Sequence, residues 1–375
     1  MTRTIYEQDK TAKNECLWLR KVTAKKIREG KKGVSEFFEL NKKTYLLLAP
    51  DDFDSYLIYL EWNRKPEDRF YLPRRRIMRR VANALQRLVD DELDELFLSM
   101  PPRVGKTSML MFFMTWLVGR DSERSNLYSA YSDVITSAFY SGCLEVINDP
   151  VTYLWHDVFP TAKIVSTNSK DETFNLDRKK RYPSLTCRSL YGTLNGACDC
   201  NGILVSDDLI GGIEEALNKD RLIAAWSKVD NNLLPRAKET AKILWCGTRW
   251  SMIDPAGVRM DLLQNDPKFQ SRRCEIINLP ALDENEHSNF SYDYGVGFSD
   301  DYYYQRRASF ERNNDMASWL AQYMGEPIER AGALFDPQDM RYYNGTLPEE
   351  PPVRVFMAVD PAFGGGDFTS APICF

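Results

Sequence analysis

Residues 100–107 read MPPRVGKT, which fits the phosphate-binding pattern G-x-x-x-x-G-K-[ST] at every position except the first, where Met100 stands for Gly. In such a loop, backbone N–H groups and the N-terminus of the following helix face a nucleotide's phosphates. Here the cradle runs over Pro102, Arg103, Val104, Gly105, Lys106, Thr107 and Ser108. Lys106 is expected to bridge the β and γ phosphates and Thr107 to offer its hydroxyl to Mg²⁺. Gly-Lys-Thr also arises by chance at strand ends, so the pattern needs partners elsewhere in the chain. One is GILVSDD at 202–208, an apolar strand candidate that ends in two carboxylates. Asp207 is the expected metal-side acid, and Asp208 the candidate to orient or deprotonate an attacking water, directly or through a further water. A plain helix N-cap is the other use of such a pair. A third element follows KILWC, where Thr248 could sense the γ phosphate and Arg249 could relay that state or be an ordinary ion-pair partner. Arg103, inside the loop, could stabilise transition-state charge from the same subunit.

The elements around these residues alternate. A short strand at 96–100 precedes the loop and an apolar helix at 108–118 follows it. Further buried strands are expected at 126–130, 202–205 and 242–246, separated by helices or loops, which is the pattern of a mainly parallel α/β sheet flanked by helices. Residues 1–65 read as amphipathic helix carrying Arg20, Lys21, Lys25, Lys26, Arg28, Lys31 and Lys32. A solvated face is the first explanation for this cluster and contact with DNA the second. Residues 69–89 hold seven Arg and no acid, and five acids follow between 90 and 95, as in a helix then a turn. From 283 to 315 the chain is polar and Tyr-rich, and GTLPEEPP at 345–352 is a strong breaker cluster.

At 375 residues the chain predicts roughly two to three units of about 150 residues each. With 43% hydrophobic residues, global disorder is excluded. The formal charge of -5 argues against a uniformly basic nucleic-acid coat while leaving local patches open. The most apolar run, 109–118, is far short of the roughly 20 residues that a membrane span needs, and MTRTIYEQDKTAKNE has no apolar core of a secretory signal. A cytoplasmic protein without a membrane segment is expected. Eight scattered Cys read as reduced thiols. The nearest group, Cys187, Cys198 and Cys200, lacks a C-x-x-C, and with His156 and His287 as the only His a zinc site is disfavoured.

Taken in order, the motifs resemble the large terminase subunit of tailed bacteriophages, the ATP-driven DNA-packaging motor. MPPRVGKT looks like that family's phosphate loop with its internal Arg, and GTLNGACDCNGILVSDDLIGGIEEA resembles its Gly-rich approach to the D-D strand. GTRWSMIDPAG is similar to its coupling motif, and NLPAL and WLAQYMGEPIERAGALFDP resemble the stretch that joins ATPase to nuclease. The likeness implies an N-terminal helical segment at 1–68 packed on an additional-strand P-loop ATPase at 69–282. It further implies a lid and connection at 283–344, a linker at 345–352 and the first strand of an RNase H-like nuclease at 353–375.

The same resemblance implies ATP and Mg²⁺ as cofactors, and Mg²⁺ or Mn²⁺ for a complete nuclease. As partners it implies double-stranded DNA, the portal protein of the procapsid, the small terminase subunit and copies of itself in a ring, often five, in the host cytoplasm and transiently at the portal vertex. FYLPRRRIMRR at 70–80 occupies the place of the family's adenine-contacting segment, which makes Tyr71 and Arg74 candidates. The Gln often found there is absent, and Tyr71 could equally pack in the core or the arginines meet DNA phosphates. In VDPAFGGGDFTS, Asp360 matches the first metal-binding Asp of the nuclease, and Asp367 is a weaker match that could only shape the Gly-rich turn. The remaining acids of that site would lie past Phe375, so the chain reads as truncated. Two rivals remain: a helicase-like ATPase, for whose second motor domain there is no room, and a nucleotide-binding adaptor without turnover.

The expected outcome with plasmid DNA and Mg²⁺ or Mn²⁺ is no cleavage by this chain. Nicking that disappears in Asp360→Ala would overturn it.

Overall fold

Strands that are apolar along their whole length can be satisfied only in the middle of a sheet covered on both faces. A computed structural model describes residues 2–30, 34–194, 196 and 198–327, and two short antiparallel strands, Phe356–Met357 and Ile373–Cys374. In it β1 (Glu95–Ser99), β2 (Asn126–Ala130) and β6 (Ile203–Asp207) are buried at every residue. They join β3 (Ile164–Asn168), β4 (Thr173–Leu176), β5 (Leu185–Ser189), β7 (Lys242–Gly247) and β8 (Cys274–Asn278) in one eight-stranded sheet of order β3-β4-β5-β2-β6-β7-β1-β8. The six strands from β5 to β8 in that order run parallel, and β3 and β4 add an antiparallel edge. Strand β7 lies between β1 and β6, so a strand is inserted between the one that leads into the phosphate loop and the one that ends in Asp207.

The expected strands at 96–100, 126–130, 202–205 and 242–246 appear within two residues of their expected bounds. Strands β3, β4, β5 and β8 emerge only in the structure. They are short and carry polar or charged residues such as Asn168, Arg188 and Glu275, so no apolar run announces them.

Twelve α-helices are described: α1 (Thr2–Arg28), α2 (Val34–Leu48), α3 (Phe53–Leu60), α4 (Tyr71–Val89), α5 (Lys106–Arg120), α6 (Asp133–Asn148), α7 (Trp155–Val158), α8 (Ile213–Ala216), α9 (Lys219–Lys228), α10 (Pro255–Asn265), α11 (Asp300–Arg312) and α12 (Met316–Trp319). Side chains alternate across each strand. Leu96 and Leu98, Tyr128, Val205 and Leu244 join one core with α3 to α6, whereas Phe97, Leu127, Leu204 and Trp245 join another with Met260 and Leu263 of α10. Among the described residues no helix is long and apolar enough to cross a membrane.

Two polar ties fix helices on the two faces of the sheet. Helix α4 buries Tyr71, Met78, Val81, Ala82, Leu85 and Leu88, a stripe at helical spacing, and leaves Arg76, Arg79 and Arg80 exposed. Its first N–H groups are capped from a distance: interior Glu61 accepts from Phe70 N at 2.7 Å while holding Arg64 at 2.6 Å. On the other face Glu95, fully buried in β1, accepts from Arg259 Nε of α10 at 3.1 Å and from Trp245 Nε1 at 3.0 Å. Arg272 Nε lies 2.8 Å from the same carboxylate without hydrogen-bond alignment.

The basic cluster on α1 behaves as a helix face: Lys21, Lys25 and Arg28 are exposed, and Arg20 donates to Ser55 Oγ at 2.7 Å and covers the Tyr45 ring. The polar, Tyr-rich segment turns out to carry a core of rings. Tyr303, Trp319 and Tyr323 are buried, with Trp319 stacked on Tyr323 at 4.7 Å. Ala281 N donates to Tyr323 O at 2.7 Å and Asn278 Nδ2 to Met324 O at 2.7 Å, so residues 283–327 close onto the end of β8.

One compact unit, Met1–Glu329, takes in the N-terminal helices, the sheet and this aromatic segment; Arg330–Phe375 is a second unit. The expected linker at 345–352, together with Asp360 and Asp367, lies outside the described residues.

Glu95→Ala strands the buried Arg259 guanidinium and the Trp245 N–H. It is expected to destabilise the fold by about 3 kcal/mol, read as a lower urea midpoint.

Candidate active site

Parallel register brings three strand ends level. Ser99 of β1 pairs with Gly247 of β7, and Cys246 of β7 pairs with Asp207 of β6. The residues that follow, 100–105, Thr248 and Asp208, therefore share the carboxyl edge of the sheet, where open α/β sheets bind ligands.

The loop's shape explains the Met where the pattern has Gly. The left-handed backbone falls at Arg103 (φ 66°) and Gly105 (φ 104°), not at Met100. The Met100 side chain is buried in the core, and its carbonyl accepts from Lys106 Nζ at 3.0 Å. Gly105 is needed twice over. Its φ suits glycine, and a Cβ there would lie 2.5 Å from the Phe70 ring. Helix α5 starts without a side-chain cap, which leaves the N–H groups of its first turn without side-chain partners, an arrangement that suits an anion. Lys106 is buried, Thr107 and Arg103 are exposed, and Pro102 and Ser108 are half-buried; Val104 packs in the core.

Asp207 is buried, and its Oδ2 accepts from the Tyr128 hydroxyl of β2 at 2.8 Å. Its Oδ1 has no partner among the described residues. Burial and the neighbouring Asp208 carboxylate push the Asp207 acid well above the usual carboxylate range, and the Tyr128 hydroxyl, the Lys106 ammonium and the Cys246 thiol oppose this. Asp208 turns with φ 39° at the strand end; its N–H donates to Cys246 O at 2.9 Å, and its Oδ1 accepts from Thr248 N at 2.8 Å. Gly247 permits that approach, since a Cβ there would sit 2.9 Å from Asp208 Oδ1 and 3.2 Å from its backbone N. Thr248 then links both halves, because its hydroxyl also receives Lys106 Nζ at 3.4 Å. Asp207, with a carboxylate oxygen that makes no hydrogen bond, and Thr107 are oxygen donors of the kind that Mg²⁺ takes.

Arg249 lines the same cavity as Asp208 and Thr248, with its guanidinium held by the following turn. Its Nε lies 3.1 Å from buried Asp254, and a second guanidinium nitrogen donates to Ser251 O at 3.2 Å. Asp254 also caps α10 through Gly257 N at 2.7 Å and accepts from Trp250 N at 3.0 Å. Of the two uses open to Arg249, the geometry gives the ion pair that fixes the turn after Thr248.

Tyr71 is a correction to the nucleotide-binding set. Its ring is fully buried and its hydroxyl donates to Asp54 at 2.7 Å, where Arg75 also binds, so no face is open to a base. Arg74 stays near the loop: it donates to Phe70 O at 2.8 Å and lies over the Phe70 and Tyr292 rings at 4.9 and 5.5 Å. The three closely spaced cysteines part company, with Cys187 in the core under α6 and Cys198 and Cys200 in the core of the opposite face. Tyr128, Phe70 and Asp254 matter to the site and were not singled out in the sequence. Of these, only Asp254, an acid directly before Pro255, carries a local signal, that of an N-cap.

No protein-family model matches the chain, and no curated protein does. Among solved structures, the HK97 bacteriophage large terminase is similar over 65% of this chain and 49% of its own, with 10% identity and a TM-score of 0.44. This chain thus spans about half the length of that protein. A mutant of the large terminase ATPase domain of Thermus phage P74-26 is similar over 71% of this chain and 100% of its own, with 11% identity and a TM-score of 0.37.

Gly247→Ala is expected to displace the Asp208 carboxylate without unfolding the sheet. Any nucleotide hydrolysis should fall by about 10²-fold in a steady-state phosphate-release assay, with circular dichroism unchanged.

Proposed function

We propose that this chain is the ATPase part of a large terminase subunit, which hydrolyses ATP to drive double-stranded DNA into a viral procapsid. The observation that carries the reading is the meeting of Lys106, Thr248 and the Asp207–Asp208 pair at one sheet edge, with the Thr248 strand inserted between the other two. The four sequence blocks in family order support the step from a nucleotide hydrolase to a packaging motor.

In this reading, the N–H groups at the start of α5 and the Lys106 ammonium bind the β and γ phosphates. Thr107 and Asp207 hold Mg²⁺, which when bound neutralises charge developing on the phosphates. Asp208, oriented by Thr248 N–H, aligns the attacking water and accepts its proton. Arg103, exposed on a left-handed turn, reaches the transferred phosphate and offsets its charge. Thr248 senses the γ phosphate because it touches both Lys106 and Asp208. Arg249 keeps the turn beyond it rigid through Asp254, so a shift of Thr248 moves α10 as a body. Arg74, between Phe70 and Tyr292, ties the loop to the aromatic segment at 283–327, which acts as the lid.

The partners that follow are double-stranded DNA, the portal protein, the small terminase subunit and further copies of the chain in a ring, in the host cytoplasm and transiently at the portal vertex. Residues 353–375 begin an RNase H-like nuclease that would need Mg²⁺ or Mn²⁺, with Asp360 as its first ligand.

The test is steady-state ATP hydrolysis with Mg²⁺, with and without double-stranded DNA, for the chain and for Lys106→Ala and Asp208→Asn. Both variants should lose at least about 10²-fold, and stimulation by DNA should weaken as salt rises because it rests on phosphate contacts. ATP binding without turnover in the unaltered chain would instead favour an adaptor.

A further inference from the structure

Tyr128 lies in the middle of β2, fully buried, with its ring stacked on Phe139 of α6 at 3.6 Å between centroids and 4° between planes. A phenylalanine would fill that stack equally well, and a buried phenol adds a desolvation cost unless its hydroxyl has a partner. The partner is Asp207 Oδ2 at 2.8 Å. In the β2–β6 register Tyr128 pairs with Val205 and Ala130 with Asp207, so tyrosine and aspartate are diagonal neighbours on one face. That face also carries Leu98 and Cys246 and receives helix α5, which begins with Lys106.

A carboxylate free in all its torsions could turn either oxygen toward a cation. The Tyr128 hydroxyl holds Oδ2, the Cys246 thiol of the neighbouring strand lies beside the same carboxylate, and Oδ1 makes no hydrogen bond among the described residues. Partners of this kind behind a ligand commonly set its orientation.

We propose that Tyr128 is a positioning residue for the divalent cation that accompanies the nucleotide: its hydroxyl ties up Asp207 Oδ2, so that Oδ1 alone is presented to the metal. The inference rests on reading the site as one for a metal–nucleotide complex. Tyr128 touches neither substrate nor metal, and its whole effect passes through the Asp207 carboxylate.

The test uses the full chain and Tyr128→Phe, which keeps the ring stack. Mn²⁺ titrated into the protein–ADP complex and followed by electron paramagnetic resonance reports metal affinity. Calorimetric titration of ADP in EDTA reports nucleotide affinity without metal. Tyr128→Phe is expected to weaken Mn²⁺ binding by about tenfold or more, with ADP affinity in EDTA unchanged, and to raise the Mg²⁺ concentration needed for half-maximal hydrolysis by a similar factor. Phe139→Leu, which loosens the stack and spares the hydroxyl, should lower the thermal midpoint and leave Mn²⁺ affinity as it was.

Three results would overturn the proposal: unchanged Mn²⁺ affinity in Tyr128→Phe, a parallel loss of metal-free ADP binding, or an equal Mn²⁺ loss in Phe139→Leu. If the unaltered chain bound neither ADP nor Mn²⁺–ADP, the nucleotide reading itself would fail and take this inference with it. That result is distinguishable from the other three because it appears before any substitution is made.

Discussion

The parallel register of β6, β7 and β1 is the constraint on which the rest depends. Backbone hydrogen bonds hold Asp207 opposite Cys246 and Gly247 opposite Ser99, so a carboxylate pair, a threonine and the phosphate loop reach the same edge. Side chains alternate along a strand, and a slip of one residue would send Asp207 to the opposite face, toward Trp245 and Met260 and away from Lys106. The register is in turn held by burial. Strands β1 and β6 are interior at every residue, and Glu95 at the start of β1 binds Trp245 of β7 and Arg259 of α10.

Around that edge the contacts form a short chain of touching groups. Lys106 meets the Met100 carbonyl and Thr248, Thr248 meets Asp208, and Asp208 lies against Gly247. Gly247 leaves no room for an added carbon against Asp208, so a change at one is felt by the other. The turn beyond Thr248 is stiffened by Arg249 and Asp254, and Asp254 is also the N-cap of α10. A displacement at Thr248 therefore has a rigid path to a helix on the far face of the sheet.

The N-terminal helices belong to the same machine. Glu61 caps α4, Phe70 presses on Gly105, and Arg74 spans Phe70 and Tyr292. Residues far apart in sequence thus set the back wall of the phosphate loop. Tyr71, beside them, was a candidate for the base and is instead a core residue held by Asp54. A tyrosine next to a cluster of arginines looks the same in either role until its burial is known.

Local chemistry settled much of this protein in advance. The phosphate-loop pattern that ends in Gly105, Lys106 and Thr107 and the apolar strand ending in Asp207 and Asp208 depend on neighbours in the chain, so they could be read directly. Of the recognised strands, β1, β6 and β7 each hold a run of at least three apolar residues, whereas β2 reads NLYSA. Strands β3, β4, β5 and β8 were not recognised, because edge or mixed positions tolerate Asn168, Arg188 and Glu275 and leave no periodic mark. Tertiary structure alone decided that Tyr128 holds Asp207 and that the Tyr-rich segment buries its rings. Each depends on which groups folding brings within about 3 Å of one another, and Tyr128 and Asp207 stand 79 residues apart in the chain. Sequence spacing carries no information about such an encounter, and only the strand order and register do.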